Sequence, residues 1–242
     1  MTPFIAELMG TFLLILLGNG VVANVVLKNT KGHDSGWIVI TTGWALAVFV
    51  GVVVAGPHSG AHINPAVSVG LAAAGKFEWA LVPIYILGQL IGAAMGALTV
   101  WIFYRSHYEI STDPISIRAT FCTHPEIRHK TNNFMSELIG TFVLILVVLY
   151  ITGASLEDPS NTPIGLGSLG AIPVAFLVWA IGLSLGGTTG YAINPARDLS
   201  PRIVYSALFR NGDHDPDWDY GWIPSIAPLV GAILAGVLFI FL

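Results

Sequence analysis

The chain has 242 residues, of which 54% are hydrophobic and only 10% charged, well below the roughly 25% charged content of a soluble domain. That composition places the protein in a membrane, and a formal net charge of -4 argues against a nucleic-acid partner, which needs a basic surface.

Apolar blocks fall at approximately 3 to 27, 36 to 56, 79 to 104, 133 to 153, 168 to 187 and 222 to 242. Each is long enough to cross about 30 Å of hydrocarbon at about 1.5 Å per helical residue. The expected fold is therefore an all-α membrane protein with six transmembrane helices. The first block follows Met1 without a basic leader segment, which reads as a retained span. Cys122 is the only cysteine and lies in the polar connection Arg105 to Asn133. It forms no intrachain disulfide and no cysteine-rich metal site, and the connection is too short to be a domain.

After the second block comes GAHINPAVS at 60 to 68, and after the fifth comes GYAINPARD at 190 to 198. Asn is a favoured N-cap and Pro a favoured first helical residue, so each motif starts a helix. The stretch from Pro65 to about Ala74 makes about 15 Å of helix, half the hydrocarbon thickness. Two such re-entrant half-helices entering from opposite faces meet at their N-termini. Irregular backbone at that depth is tolerated only when buried in protein or lining a water-filled cavity, which implies a pore.

The same register relates AELMGTFLLIL at 6 to 16 with SELIGTFVLIL at 136 to 146, setting Glu7 on Glu137 and Asn64 on Asn194. GQLIGAAMG at 88 to 96 resembles APLVGAILA at 227 to 235. The chain thus reads as one channel domain, 1–242, of two repeats at about 1–104 and 133–242 joined by an extramembrane loop, 105–132. Three spans per repeat make the second an inverted copy of the first. Gly88, Gly92 and Gly96 share a helical face, echoed by Ala227, Gly231 and Ala235, a spacing that brings helices close.

Several side chains are too polar for their depth. Arg197 falls one turn into a half-helix, where it is costly unless it faces water. Trp44 sits inside an apolar span, which favours pore lining over the interfacial belt. Glu7 and Glu137 are intramembrane carboxylates, open to two readings: a proton relay, or acceptors for the irregular loops.

Six spans, two half-helices and the paired Asn-Pro-Ala motifs resemble the aquaporin family along nearly the whole chain. NPARD at 194 to 198 and ATFCTHP at 119 to 125 resemble its glycerol-facilitator branch. The resemblance implies a passive channel in the plasma membrane for glycerol and related polyols, with some water. Undissociated hydroxy acids such as lactic acid are further candidates, while protons and ions are excluded. It also implies a homotetramer with one pore per subunit, no enzymatic activity, no cofactor and no metal.

Carried over residue by residue, Asn64, Pro65, Ala66 and Asn194, Pro195, Ala196 form the centre of the pore. The asparagine amides donate to solute while their carbonyl oxygens stay occupied as caps. Trp44, Gly182, Tyr191 and Arg197 form a narrow outer ring. In it Gly182 leaves room where water-only relatives carry His, Trp44 and Tyr191 make an apolar corner, and Arg197 donates to hydroxyls. Phe is usual at the Tyr191 position.

His62 is expected in the inner half of the pore, Asp198 as a structural partner, and Glu7 and Glu137 as acceptors for loop N–H groups. Both termini are implied to be cytoplasmic. Lys28, Lys31, Arg105, Arg118, Arg128, Lys130 and Arg210 then lie outside and Lys76 inside, opposite to the usual bias. The competing readings are a proton-coupled transporter resting on the repeat and the two glutamates, and a hydrolase using Ser59 with His58 or His62. The hydrolase lacks an orienting third residue.

Overall fold

The computed structural model describes residues 1–156, 162–210 and 214–242. In chain order the helices are α1 (Pro3–Val26), α2 (Trp37–Ser59), α3 (Pro65–Ala73), α4 (Val82–Phe103) and α5 (Arg105–Ile110). Then follow α6 (Pro114–Ala119), α7 (Lys130–Tyr150), α8 (Ile172–Leu185), α9 (Pro195–Leu208) and α10 (Trp218–Phe241). Among the described residues, counting the 3-10 turns that lead into α4 and α8, six helices are long and apolar enough to cross a membrane. The face carrying α5 and α6 is called outer below.

Local sequence explains the boundaries. Thr2 caps α1, its hydroxyl accepting from the Ile5 N–H ahead of Pro3 at the first helical position. The apolar block predicts a fourth span from about 133, but α7 starts at Lys130, because the His129 ring accepts from the Asn132 N–H. The sixth span likewise begins at Trp218, since Asp217 turns the chain at φ 56° just before it. The polar connection also holds two short helices that its composition hid. One of them, α6, is set by Asp113, whose carboxylate accepts from the Ile115 and Ser116 N–H groups.

Helix α1 packs between α2 and α4, α7 lies along α10, and α8 lies along α2. The α1–α4 approach needs glycine: a Cβ at Gly88 would stand 2.7 Å from the Phe4 carbonyl oxygen, and one at Gly96 2.8 Å from that of Phe12. A Cβ at Gly92 would collide with the Leu8 oxygen, and one at Gly231 with that of Leu138, the repeat equivalent of Leu8. The opposite face of α4 exposes Leu87, Ile91, Met95, Leu98 and Ile102, as a lipid-facing surface should. Each half-helix packs on the last span of the other repeat, α3 on α10 and α9 on α4. The two repeats therefore interlock around one axis.

Candidate functional site

Asn64 and Asn194 sit in extended backbone immediately before Pro65 and Pro195. The Asn64 Oδ1 accepts from the Ala66 N–H at 2.8 Å. The Asn194 Oδ1 accepts from Ala196 at 3.0 Å and Arg197 at 3.2 Å. The amide nitrogens cross between repeats: Asn64 Nδ2 donates to the Ile193 carbonyl at 2.8 Å, and Asn194 Nδ2 to that of Ile63 at 2.9 Å. A primary amide carries two N–H donors. One on each asparagine thus laces the half-helices together, and one remains.

The loops before the half-helices are strained alike. Ala61, Ile63, Tyr191 and Ile193 have φ of 52°, 43°, 38° and 41°, left-handed values that cost about 1–3 kcal/mol each unless the surroundings impose them. Buried glutamates impose them. Glu7 accepts from Ser59 Oγ at 2.6 Å, His62 N at 2.9 Å, Ile63 N at 2.6 Å and Gln89 Nε2 at 2.7 Å. Glu137 accepts from Thr189 Oγ1 at 2.7 Å, Ala192 N at 3.0 Å and Ile193 N at 2.9 Å. Where Gln89 serves the first repeat, the aligned residue in the second is Pro228, which offers no donor.

Three cavities follow one another along the axis. An outer vestibule of about 390 Å³ is lined by Trp37, Trp44, Cys122, His124, Tyr191 and Arg197 among others. An inner vestibule of about 400 Å³ includes Val52, Ala61, His62, Val67, Val174 and both motif asparagines. Between them is a waist of only about 50 Å³.

The waist wall is two-fold symmetric, pairing Leu14 with Leu144, Val48 with Val178 and Asn64 with Asn194. The symmetry breaks on the outer side. Trp44, Tyr191 and Arg197 border the waist, whereas their repeat equivalents Val174, Ala61 and Val67 line the open inner vestibule. Bulk substituted at three equivalent positions is what puts the constriction toward the outer mouth.

The Arg197 guanidinium stands 4.4 Å from the centre of the Trp44 ring, a cation–π contact, and its Nη1 is buried without a partner among the described residues. Asp198 turns away from Arg197. It accepts from Thr123 N at 2.7 Å, Thr123 Oγ1 at 2.6 Å and Arg202 Nε at 2.8 Å. Arg202, fully buried, also donates to the Thr123 carbonyl at 2.8 Å. Sequence reasoning missed Arg202, although its place four residues after Asp198 on one helix was the available signal.

Gly182 departs from the expectation that it opens space for a solute. A Cβ there would stand 2.8 Å from Tyr191 Cζ, 3.0 Å from its hydroxyl and 3.1 Å from Thr41 Cγ2. The missing side chain leaves room for the tyrosine ring, which covers α8 and itself forms the cavity wall. His62 lines the inner vestibule, with its Nδ1 2.9 Å from Ser68 Oγ and its ring 4.5 Å from that of Phe77. Ser59 clamps its loop, donating to Glu7 while accepting from the Ala61 N–H at 3.1 Å. His58 lies 3.4 Å from the amino group of Met1. Those bonds tie Ser59 into the loop rather than to either histidine.

On the outer face the basic residues serve ion pairs. Arg128 reaches Asp217 at 2.5 Å, Lys130 reaches Asp219 at 2.6 Å, Arg118 stands 3.8 Å from Asp217, and Arg105 pairs with Glu109 at 2.9 Å.

Comparison with known proteins identifies the family. The family described as Major intrinsic protein matches residues 1–239. The chain is 52% identical over 239 residues to the probable glycerol uptake facilitator protein of Thermotoga maritima, covering 99% of this chain and 98% of that one. It is 42% identical over 235 residues to the D/L-lactic acid transporter of Lactiplantibacillus plantarum, covering 96% and 93%. The X-ray structure of the aquaglyceroporin from Plasmodium falciparum matches with a TM-score of 0.80 at 35% identity, covering 96% of this chain and 92% of that one. With a family match over residues 1–239 and six helices able to span a membrane, the chain belongs to the major intrinsic protein family of multi-pass membrane channels.

Proposed function

We propose that this protein is a passive channel for small uncharged solutes, with glycerol and related polyols foremost. Water passes as well, and so do undissociated hydroxy acids such as lactic acid. The observation that carries this reading is the waist, where the remaining amide protons of Asn64 and Asn194 and the unpartnered Nη1 of Arg197 face a path walled by Trp44, Tyr191, Leu14, Leu144, Val48 and Val178. A polyol has the matching shape: a carbon backbone for the apolar wall and hydroxyl oxygens for the donors.

The selectivity follows from charge and donor count. Each half-helix presents about half a positive charge at its N-terminus, and Arg197 adds a full one above them. A cation entering the waist loses its hydration shell against positive helix ends and N–H donors, which repel it instead of replacing the water. An anion loses hydration into a narrow wall that is mainly apolar, Leu14, Val48, Leu144 and Val178 among its residues. A water molecule accepting from both asparagines has no lone pair aligned to take a proton from a neighbour, which interrupts a proton wire. Glu7 and Glu137 spend their oxygens on the loops, and Gln89, the link from Glu7 toward Ser68, donates amide N–H groups to both. An amide is a poor proton relay, so the glutamates act as scaffold.

The pore is complete within one chain, and apolar residues such as Leu46 and Phe176 cover its outer surface. Assembly as a homotetramer, each subunit with its own pore, fits that design, with no covalent step anywhere in transport. Stopped-flow light scattering on proteoliposomes tests the solute claim. Glycerol should enter many-fold faster than into protein-free liposomes, and lactic acid entry should track its undissociated fraction as pH changes. Glycerol entry at the protein-free rate would sink the proposal.

A further inference from the structure

The indole of Trp37 opens α2 at the outer face, where a tryptophan would ordinarily turn its N–H to headgroups and water. Here the Nε1 donates across to the carbonyl of Gly182 at 3.1 Å. Gly182 falls in the last turn of α8, which ends at Leu185, where carbonyls run out of helical donors. The same indole meets Tyr191 edge-on, with ring centroids 5.8 Å apart and an interplanar angle of 78°. Gly186 completes the seat, since a Cβ there would lie 2.8 Å from Trp37 Cζ2 and would strike Tyr191 as well. Trp37 and Gly186 both line the outer vestibule beside Tyr191 and Arg197.

We infer that Trp37 is a specificity-determining residue of this channel, a positioning residue that holds the Tyr191 ring against α8 and thereby sets the width of the outer constriction. The inference rests on the reading of the chain as a polyol channel. The indole is the aromatic neighbour that meets this ring in the outer vestibule, so its removal frees the ring to tilt outward. Packing alone keeps Tyr191 there, because among the described residues its buried hydroxyl has no hydrogen-bond partner to anchor it. A tilted ring widens the passage facing Trp44 and Arg197, and the solutes that gain most are those too large to pass easily.

The test compares erythritol with glycerol permeability in proteoliposomes, a ratio that differences in protein yield leave unchanged. Trp37→Ala should raise the erythritol-to-glycerol ratio by about threefold or more, the factor to which a lost aromatic edge contact corresponds. Trp37→Phe keeps a ring but drops the bond to Gly182, and should raise it by a smaller factor; it also supplies the reading if the alanine variant does not assemble. In a Tyr191→Leu background Trp37→Ala should add nothing, because its effect runs through the tyrosine.

A wild-type ratio in an assembled Trp37 variant overturns the inference, as does an equal factor in both backgrounds, which would make Trp37 an independent vestibule wall. Wild-type protein that passes glycerol no faster than bare lipid overturns the channel reading instead, so the two failures are distinct.

Discussion

Gly182→Ala adds one methyl group behind the constriction, and the structure gives its consequence in numbers. The new Cβ would lie 2.8 Å from Tyr191 Cζ, 3.0 Å from the tyrosine hydroxyl and 3.1 Å from Thr41 Cγ2, against an ordinary carbon contact of about 3.5–4.0 Å. Helix α8 itself tolerates the change, since Ala is the better helix former by about 1 kcal/mol. The ring must therefore retreat by about 0.7 Å to reach normal contact, and its free side is the cavity shared with Trp44 and Arg197. Overpacking of this kind costs about 1–3 kcal/mol, and about 1.4 kcal/mol expressed as added barrier is tenfold in rate. Glycerol permeability should fall about tenfold, and that of water, which is smaller, by no more than about twofold. The assay is stopped-flow light scattering with both solutes on the same proteoliposomes. Tyr191→Leu in the same chain removes the clash and should restore glycerol flux. Equal loss of glycerol and water in assembled protein, or no rescue by Tyr191→Leu, would refute the reasoning.

Three further outcomes follow from the scaffold. Glu7→Gln turns an acceptor toward four donors into an amide, orphaning donors at about 2 kcal/mol each; thermal unfolding in detergent should show a large drop, and Glu137→Gln, with three donors, a smaller one. Gly92→Ala drives a Cβ into the Leu8 carbonyl and should abolish assembly, whereas Gly20→Ala, with nothing within 4 Å, should fold normally, both read by monodispersity after purification. Burial alone would raise the Asp217 carboxyl, but the hydrogen bond from Arg128 and the charges of Arg118, Arg128 and Arg202 outweigh it and hold it below the usual carboxylate range. Its contribution to stability is present above the unfolded value of about 3.9 and is lost as pH falls through the lower folded value. Acid should therefore loosen the outer loops, and Arg128→Ala should move that onset to higher pH, as limited proteolysis across a pH series would show.

The spans were legible because lipid demands uninterrupted apolar blocks, and the half-helices because Asn-Pro is a capping signal with a physical cause. The glutamates were legible as a pair because the repeat put Glu7 on Glu137, although only the structure shows which N–H groups they hold. What escaped the sequence depended on contacts between distant segments. Gly182 reads as empty space along the chain, while in three dimensions Tyr191, nine residues later, fills it. Trp37 went unremarked because nothing local reveals that its N–H reaches Gly182, 145 residues away. The asparagine amides were expected to donate to solute, and only the structure shows that each also spends one N–H on the carbonyl before the other motif. The second half-helix runs 14 residues against 9 in the first, a difference that two identical motifs could not announce.

A path open to neutral solutes and closed to protons can be tested on both counts in one measurement. Proteoliposomes carrying an internal pH dye and an imposed proton gradient are mixed with glycerol while light scattering and fluorescence are recorded together. Glycerol should enter many-fold above the protein-free rate, unchanged when the gradient is reversed or absent, with the gradient decaying no faster than in bare lipid. Glycerol flux that depends on the gradient, or a gradient that collapses as glycerol moves, would contradict it and restore Glu7 and Glu137 as a proton pathway.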